Sequence, residues 1–309
     1  MAGRLAILCP GQGAQHPAMF DMARTDPGVH RLVGAWLADP LLAPVLGAIG
    51  DDSARFTNRV AQASIVAATL AMWAALRNSA PTPALVAGYS IGELSAYGVC
   101  GALAALDAIK LALERARLMD ACLADGHPQA MVALSGLPHE AVGALLQQYA
   151  FYPAIITGDD NVVAGGAAAR REQLAEAATR AGAKATILPV AVASHTPLLQ
   201  AAVAPFAQLL ASQRWSAPAF PVLSGISAQS VHTAHQAMQD LPRQIAEPIL
   251  WQECMDACLE AGVTVALELG PGAALSRMLQ ARHPQIAVRS VSEFRSLDGI
   301  RSWLGRQLD

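Results

Sequence analysis

Lysine is nearly missing from this chain of 309 residues, where Lys110 and Lys184 are the only two among 21 basic residues. Charge is sparse altogether, at 15% of the sequence, and the formal net charge is only -3. Such a chain offers no basic face for nucleic acid and no cationic stretch for a membrane surface. Cysteine is also scarce: the five residues at 9, 100, 122, 254 and 258 are odd in number and form no CxxC pair. That spacing argues against a disulfide framework and a zinc site, and fits reduced thiols in a cytoplasmic protein. The apolar run before Pro10 is too short for a signal-peptide core. The longest apolar segment, Ala61 to Leu76, falls short of the ~20 residues that span a bilayer and carries Gln62, Ser64 and Thr69, so it reads as a buried helix. Repeats, low-complexity tracts and blocks of like charge are all lacking.

What is present is a chain that is 53% apolar, long enough for one large core with an inserted subdomain. Strand-like runs at Leu5 to Cys9, Pro83 to Ala87, Thr186 to Ala191 and Val263 to Leu269 are each followed by a turn and a helical pattern. The alternation predicts an α/β fold with a parallel sheet, whose ligands collect at the carboxyl ends of its strands. Between residues 126 and 189 the rhythm changes. Strand Ala130 to Leu134, helix His139 to Tyr149, strands Ala154 to Thr157 and Val162 to Ala164, helix Arg170 to Ala181 and strand Lys184 to Pro189 give the βαββαβ order of a ferredoxin-like unit. The expected domains are therefore a core over 1–125 and 190–309, and a subdomain over 126–189.

Three strand ends carry suggestive residues. "GYSIGE" at 88 to 93 sets Ser90 between two glycines after an apolar run. This is either a nucleophile on a sharp strand-to-helix turn or a small residue at a tight one. A serine nucleophile needs a base, and seven of the eight histidines (16, 30, 127, 139, 232, 235 and 283) read as surface-loop residues. His195 is the exception. It follows the strand Thr186 to Ala191, with Thr196 at an N-cap and Pro197 at the first helical position, which places it on the sheet edge of Ser90 or simply beside a helix cap. "CPGQGAQ" lacks Gly-Lys-Ser/Thr and the third glycine of GxGxxG, so its amides suit an oxyanion site better than a phosphate. The Gln12 and Ile91 amides are the candidates. Arg115 lies in line with Leu111, Leu118 and Cys122 on the apolar side of its helix, where an unpaired guanidinium is costly. It meets an internal carboxylate or it receives an anionic ligand.

Taken together these residues resemble the malonyl-CoA:acyl-carrier-protein acyltransferase family over nearly the whole chain. The matching motifs are "PGQGAQ" (10 to 15), "GYSIGE", Arg115, "VASH" (192 to 195), "RQIAEPILW" (243 to 251) and "ELGPG" (268 to 272). The resemblance implies a parallel-sheet, hydrolase-like α/β core with the ferredoxin-like insert. It implies that Ser90 is acylated, that His195 is the base and that Arg115 binds the malonyl carboxylate. Oxyanion amides are implied at Gln12 and Ile91, and a backbone carbonyl at Gln244 that holds His195 in place of an acid. Two positions depart from the pattern: Tyr89 stands where the family has histidine, and "TGDDNVVAGG" lacks its Asn-Ser-Pro. Tyr89 together with "SHTPLL" is most similar to the epsilon-type subunit of malonate decarboxylase. The expected activity is ping-pong malonyl transfer from malonyl-CoA to that complex's carrier subunit, in contact with its other subunits. The alternatives are a malonyl transacylase of fatty-acid synthesis, a serine thioesterase or hydrolase, and an inactive carrier-docking subunit. No metal or other cofactor is expected.

Overall fold

The computed structural model describes residues 3–123 and 126–308. Its strands are β1 (Leu5–Cys9), β2 (Leu85–Gly88), β3 (Gln129–Ser135), β4 (Phe151–Gly158), β5 (Asn161–Ala167), β6 (Lys184–Leu188), β7 (Val222–Leu223), β8 (Ser230–Val231), β9 (Ile249–Leu250), β10 (Val265–Glu268) and β11 (Ala287–Ser290). They sort into two sheets, ordered β11-β10-β1-β2-β7-β8 and β6-β3-β5-β4-β9.

The first sheet is parallel except for the β7/β8 pair. Every residue of β1, β2 and β10 is buried. Covered on both faces, these strands read as continuous apolar runs rather than as alternations. One face packs against the helix Asn58–Leu76, buried along almost its whole length. This is the one helix among the described residues long and apolar enough to cross a membrane, and 83% of its apolar window is buried inside the protein. It is a core helix.

In the second sheet β3, β4, β5 and β6 are antiparallel neighbours. With the helices His139–Tyr149 and Arg171–Arg180 they complete the βαββαβ arrangement. Alternation decides the faces. Val132 and Leu134 of β3 pack with Val142, Leu146 and Leu174 from the two helices, whereas Met131, one residue before Val132, turns to the other face. β9 then joins from much later in the chain, pairing Ile155 with Ile249 and Ile156 with Leu250 in parallel.

One expectation needs correction. The strand anticipated over Thr186 to Ala191 as part of the parallel sheet is β6, it ends at Leu188, and it belongs to the second sheet. The parallel sheet is completed instead by β7 and β11, of two and four residues, too short to stand out as apolar runs. The core segment expected to end at residue 125 has its last two residues, 124–125, outside the described residues.

Candidate active site

The turn after β2 is tight for a steric reason. A Cβ on Gly88 would lie 2.2 Å from the Glu93 nitrogen, and one on Gly92 would lie 2.1 Å from the Cys9 carbonyl oxygen. Only glycine lets the chain reverse here against β1 and enter the helix Gly92–Val99 at once. Ser90, between them, sits in the left-handed region at φ 56. A non-glycine residue held there costs free energy and is a mark of functional turns. Its hydroxyl is thereby carried above the sheet end.

His195 meets it. Ser90 Oγ lies 2.8 Å from His195 Nε2. The histidine does not follow a strand of the parallel sheet, as anticipated; it stands in the irregular stretch beyond β6, also at positive φ, 64. Its backbone N–H donates to the Ile245 carbonyl at 2.8 Å. Its Nδ1 donates to the Gln244 carbonyl at 2.5 Å. A carbonyl can only accept, so the proton is on Nδ1 and the Nε2 lone pair faces Ser90. Burial, then the charge of Arg115, push the imidazole down to about 3 against the opposing Gln244 bond, so it is neutral at neutral pH. Thr196 does occupy an N-cap position ahead of Pro197, but its hydroxyl donates back to the Ala193 carbonyl. Of the other histidines, His30, His139 and His235 lie in helices and not in loops.

Arg115 is buried, 1% exposed, and makes no ion pair among the described residues. Its terminal nitrogens donate to two neutral side-chain carbonyls, Gln62 at 2.7 Å and Gln244 at 3.1 Å. The internal carboxylate that would have explained this arginine structurally is not in contact with it. Burial lowers the guanidinium to about 10, which leaves it charged at neutral pH.

Gln244 ties these groups together. Its main-chain oxygen holds His195, its side-chain oxygen accepts from Arg115, and its side-chain nitrogen donates to the Ser90 carbonyl at 3.1 Å and to Glu93 at 2.5 Å. Sequence reasoning had assigned only the carbonyl. It also gave no role to Gln62, whose signal was a glutamine inside a helix apolar on all sides, where a buried amide must find partners.

The backbone N–H groups of Gln12 and Ile91 have no protein acceptor among the described residues. Gln12 follows β1 in a loop pinned by Gln15, which accepts from the Gly13 N–H at 2.7 Å and donates to the Arg55 carbonyl at 3.2 Å. A cleft of about 180 Å³ opens over Ser90. Gly11, Gln12, Gln62 and His195 line it from the first sheet's side, and Met131, Ile155, Val163 and Leu188 from the second. Tyr89 also lines it, its ring set edge-on to Trp251 at 5.3 Å.

A hydroxyl bonded to a neutral, buried imidazole beneath free backbone N–H groups at the strand ends of an α/β sheet is the kit of a covalent acyl-transfer enzyme. The comparisons agree with that class. The chain matches the acyl transferase domain over residues 7–296. It is 33% identical over 302 residues to the malonyl CoA-acyl carrier protein transacylase of Mycobacterium bovis, covering 96% of this chain and 99% of that protein. The crystal structure of MCAT from Mycobacterium tuberculosis superposes with a TM-score of 0.88 at 30% identity, covering 99% of this chain and 100% of that one. A malonyl-transacylase solved in complex with its type II polyketide-synthase acyl-carrier protein gives 0.90 at 26% identity, covering 98% and 99%. This chain belongs to the acyl transferase domain family and is an acyltransferase.

Proposed function

We propose that the protein transfers malonyl groups from malonyl-CoA to an acyl carrier protein, through a malonyl ester on Ser90. The observation that carries this reading is the buried Arg115: a charged, planar donor beside the Ser90–His195 pair with only neutral acceptors, matched in charge and shape by a carboxylate. Malonyl-CoA brings one to the site.

In this reading His195 Nε2 takes the Ser90 proton as the hydroxyl attacks the thioester carbonyl. The N–H groups of Ile91 and Gln12 receive the oxyanion. The tetrahedral intermediate collapses to the Ser90 ester, and CoA leaves with the proton from His195. The carrier's thiol then gives its proton to His195, attacks the ester and departs as the malonyl thioester, with the proton returned to Ser90. The Gln244 carbonyl holds the imidazole in one tautomer and stabilises the imidazolium formed in each half-reaction. Nothing in these steps requires a metal or a redox group.

The names of the relatives support a malonyl-CoA:acyl-carrier-protein transacylase of the fatty-acid-synthesis kind better than a malonate decarboxylase subunit. Tyr89, one of the features that suggested the decarboxylase, has a packing explanation in its contact with Trp251. The test is intact-mass analysis after mixing with malonyl-CoA, then with carriers bearing phosphopantetheine or the phosphoribosyl-dephospho-CoA group that the resemblance to malonate decarboxylase implies for its carrier. The proposal expects one malonyl group per chain, moved to the phosphopantetheine carrier without release of free malonate. Release of malonate in step with thioester consumption would make the protein a thioesterase.

A further inference from the structure

Glu93 is buried, 0% exposed, one helical turn from Ser90, and the chemistry above gives it no task. Its Oε2 accepts from the Gly225 N–H at 2.9 Å and from the Gln244 side-chain amide at 2.5 Å, while Oε1 is buried without a partner. Those bonds decide which way the Gln244 amide points. Its nitrogen faces two acceptors, Glu93 and the Ser90 carbonyl, so its oxygen is left for Arg115. A carboxyl group and a guanidinium that do not touch are thus joined through a single amide, away from water.

An anionic substrate disturbs that arrangement. Seated on Arg115, its carboxylate would be a second negative charge across the guanidinium and one amide from Glu93, in surroundings that screen poorly. We infer that Glu93 is the counter-charge of Arg115 in the empty site, and that it takes up a proton from solvent when a substrate carboxylate seats on Arg115. The inference rests on the reading of Arg115 as the carboxylate receptor. Its balance is simple: the Glu93 carboxylate and one solvent proton give the neutral acid, while transfer from CoA to Ser90 consumes no net proton, because the serine's proton leaves on the CoA thiol. Glu93 acts through Gln244 and is a positioning residue.

The neighbours leave Glu93 as the group able to do this. Arg115 faces it from the helix Ala105–Ala121, Asp240 from the helix Ala234–Arg243, Cys254 from the helix Trp251–Glu260, and Tyr97 from its own helix; His195 lies beyond Gln244. Burial keeps Tyr97 and Cys254 protonated and His195 neutral. Asp240 adds a like charge that favours the neutral acid. Burial first of all pushes the Glu93 carboxyl up to about 7, against the Gly225 and Gln244 bonds, so its proton can move near neutrality.

The experiment follows proton uptake with an indicator in weakly buffered solution at pH 8, while intact mass counts acyl groups on the same sample. Wild type should take up roughly 0.4 to 0.8 of a proton per malonyl group, for a like-charge shift of about one to two pH units. Acetyl-CoA should give none. Glu93→Gln keeps an oxygen for Gly225 and Gln244 and replaces the unpartnered one, so it should be malonylated without uptake. Should that variant fail to fold, wild type still decides: KM for malonyl-CoA should rise several-fold from pH 7 to 8.5 and KM for acetyl-CoA should stay flat. Malonylation without uptake, equal uptake with acetyl-CoA, or uptake retained in Glu93→Gln overturns the inference and leaves malonyl transfer standing. Absence of any malonyl-serine overturns both.

Discussion

Replacing Arg115 by alanine removes a buried cation from beside the Ser90–His195 pair. Its guanidinium falls from 12.5 to about 10 through burial, which at about 1.4 kcal/mol per pH unit is a cost of about 3 kcal/mol carried by the empty site. A bound carboxylate can recover that cost, and truncating one member of a buried hydrogen-bonded charge pair costs about 2 to 5 kcal/mol. The malonyl-to-acetyl ratio of kcat/KM should therefore fall by roughly 30- to 4,000-fold in Arg115→Ala. Acetyl transfer should be unchanged or improved, because acetyl-CoA has no carboxylate to lose. Arg115→Lys keeps the charge without the planar fork and should fall between. Stability is expected to move little, since orphaning the Gln62 and Gln244 carbonyls at about 1 to 3 kcal/mol each is offset by removing a desolvated guanidinium, and Glu93 can then take its neutral acid form. The assay is steady-state transfer from both thioesters to one carrier, with a thermal melt of each variant. If both substrates slow in parallel while the melting temperature drops, Arg115 is a structural residue and the specificity argument fails.

Ser90→Ala should abolish malonyl labelling, whereas Asp159→Ala and Asp160→Ala should retain turnover within about tenfold, because neither acid contacts His195; a loss of ~10⁴ for either would mean a Ser-His-Asp triad. Gly92→Ala should cost about 3 kcal/mol or more, read as a lower melting temperature or insoluble protein, since its Cβ would meet the Cys9 carbonyl at 2.1 Å; a wild-type melt would refute the steric account of the turn. Stability should respond to pH through two opposed groups. Glu93, raised from 4.5 to about 7, adds stability that is present at low pH and lost as pH rises toward 7. His195, lowered from 6.5 to about 3, adds stability that is present above 6.5 and lost as pH falls toward 3. Between pH 4.5 and 6.5 the two slopes oppose, so Glu93→Gln should lose more stability on acidification through that window than wild type does; parallel melting curves would refute it.

How much of this was legible depended on whether a feature is local. Leu5–Cys9 and His139–Tyr149 coincide with the expected elements because proline marks an end of each, Pro10 after the strand and Pro138 before the helix. The Ser90 turn announced itself through glycines that nothing else could replace. β7, β8 and β9 were missed because two residues make no pattern. His195 was singled out although the strand expected to deliver it belongs to the other sheet. Gln62 and Glu93 were visible as polar residues in apolar helices, yet their partners, Arg115 and Gln244, lie far away in sequence. A sequence shows that a buried polar group must be satisfied; only the fold shows by what.

The same network explains why a backbone carbonyl, and not an acid, orients His195. Gln244 contacts the imidazole through its main chain and Arg115 through its side chain, so the base and the cation of the site are served by one residue. A carboxylate placed on Nδ1 would stand close to Arg115 and pair with it, because a buried guanidinium takes the nearest anion. The receptor would then be filled from within. A carbonyl fixes the tautomer and steadies the imidazolium with no full charge of its own, and the acid that is present, Glu93, is kept one amide away from the guanidinium. Arg115 is thereby charged and oriented, and its planar fork remains unmatched until a carboxylate arrives with the acyl group.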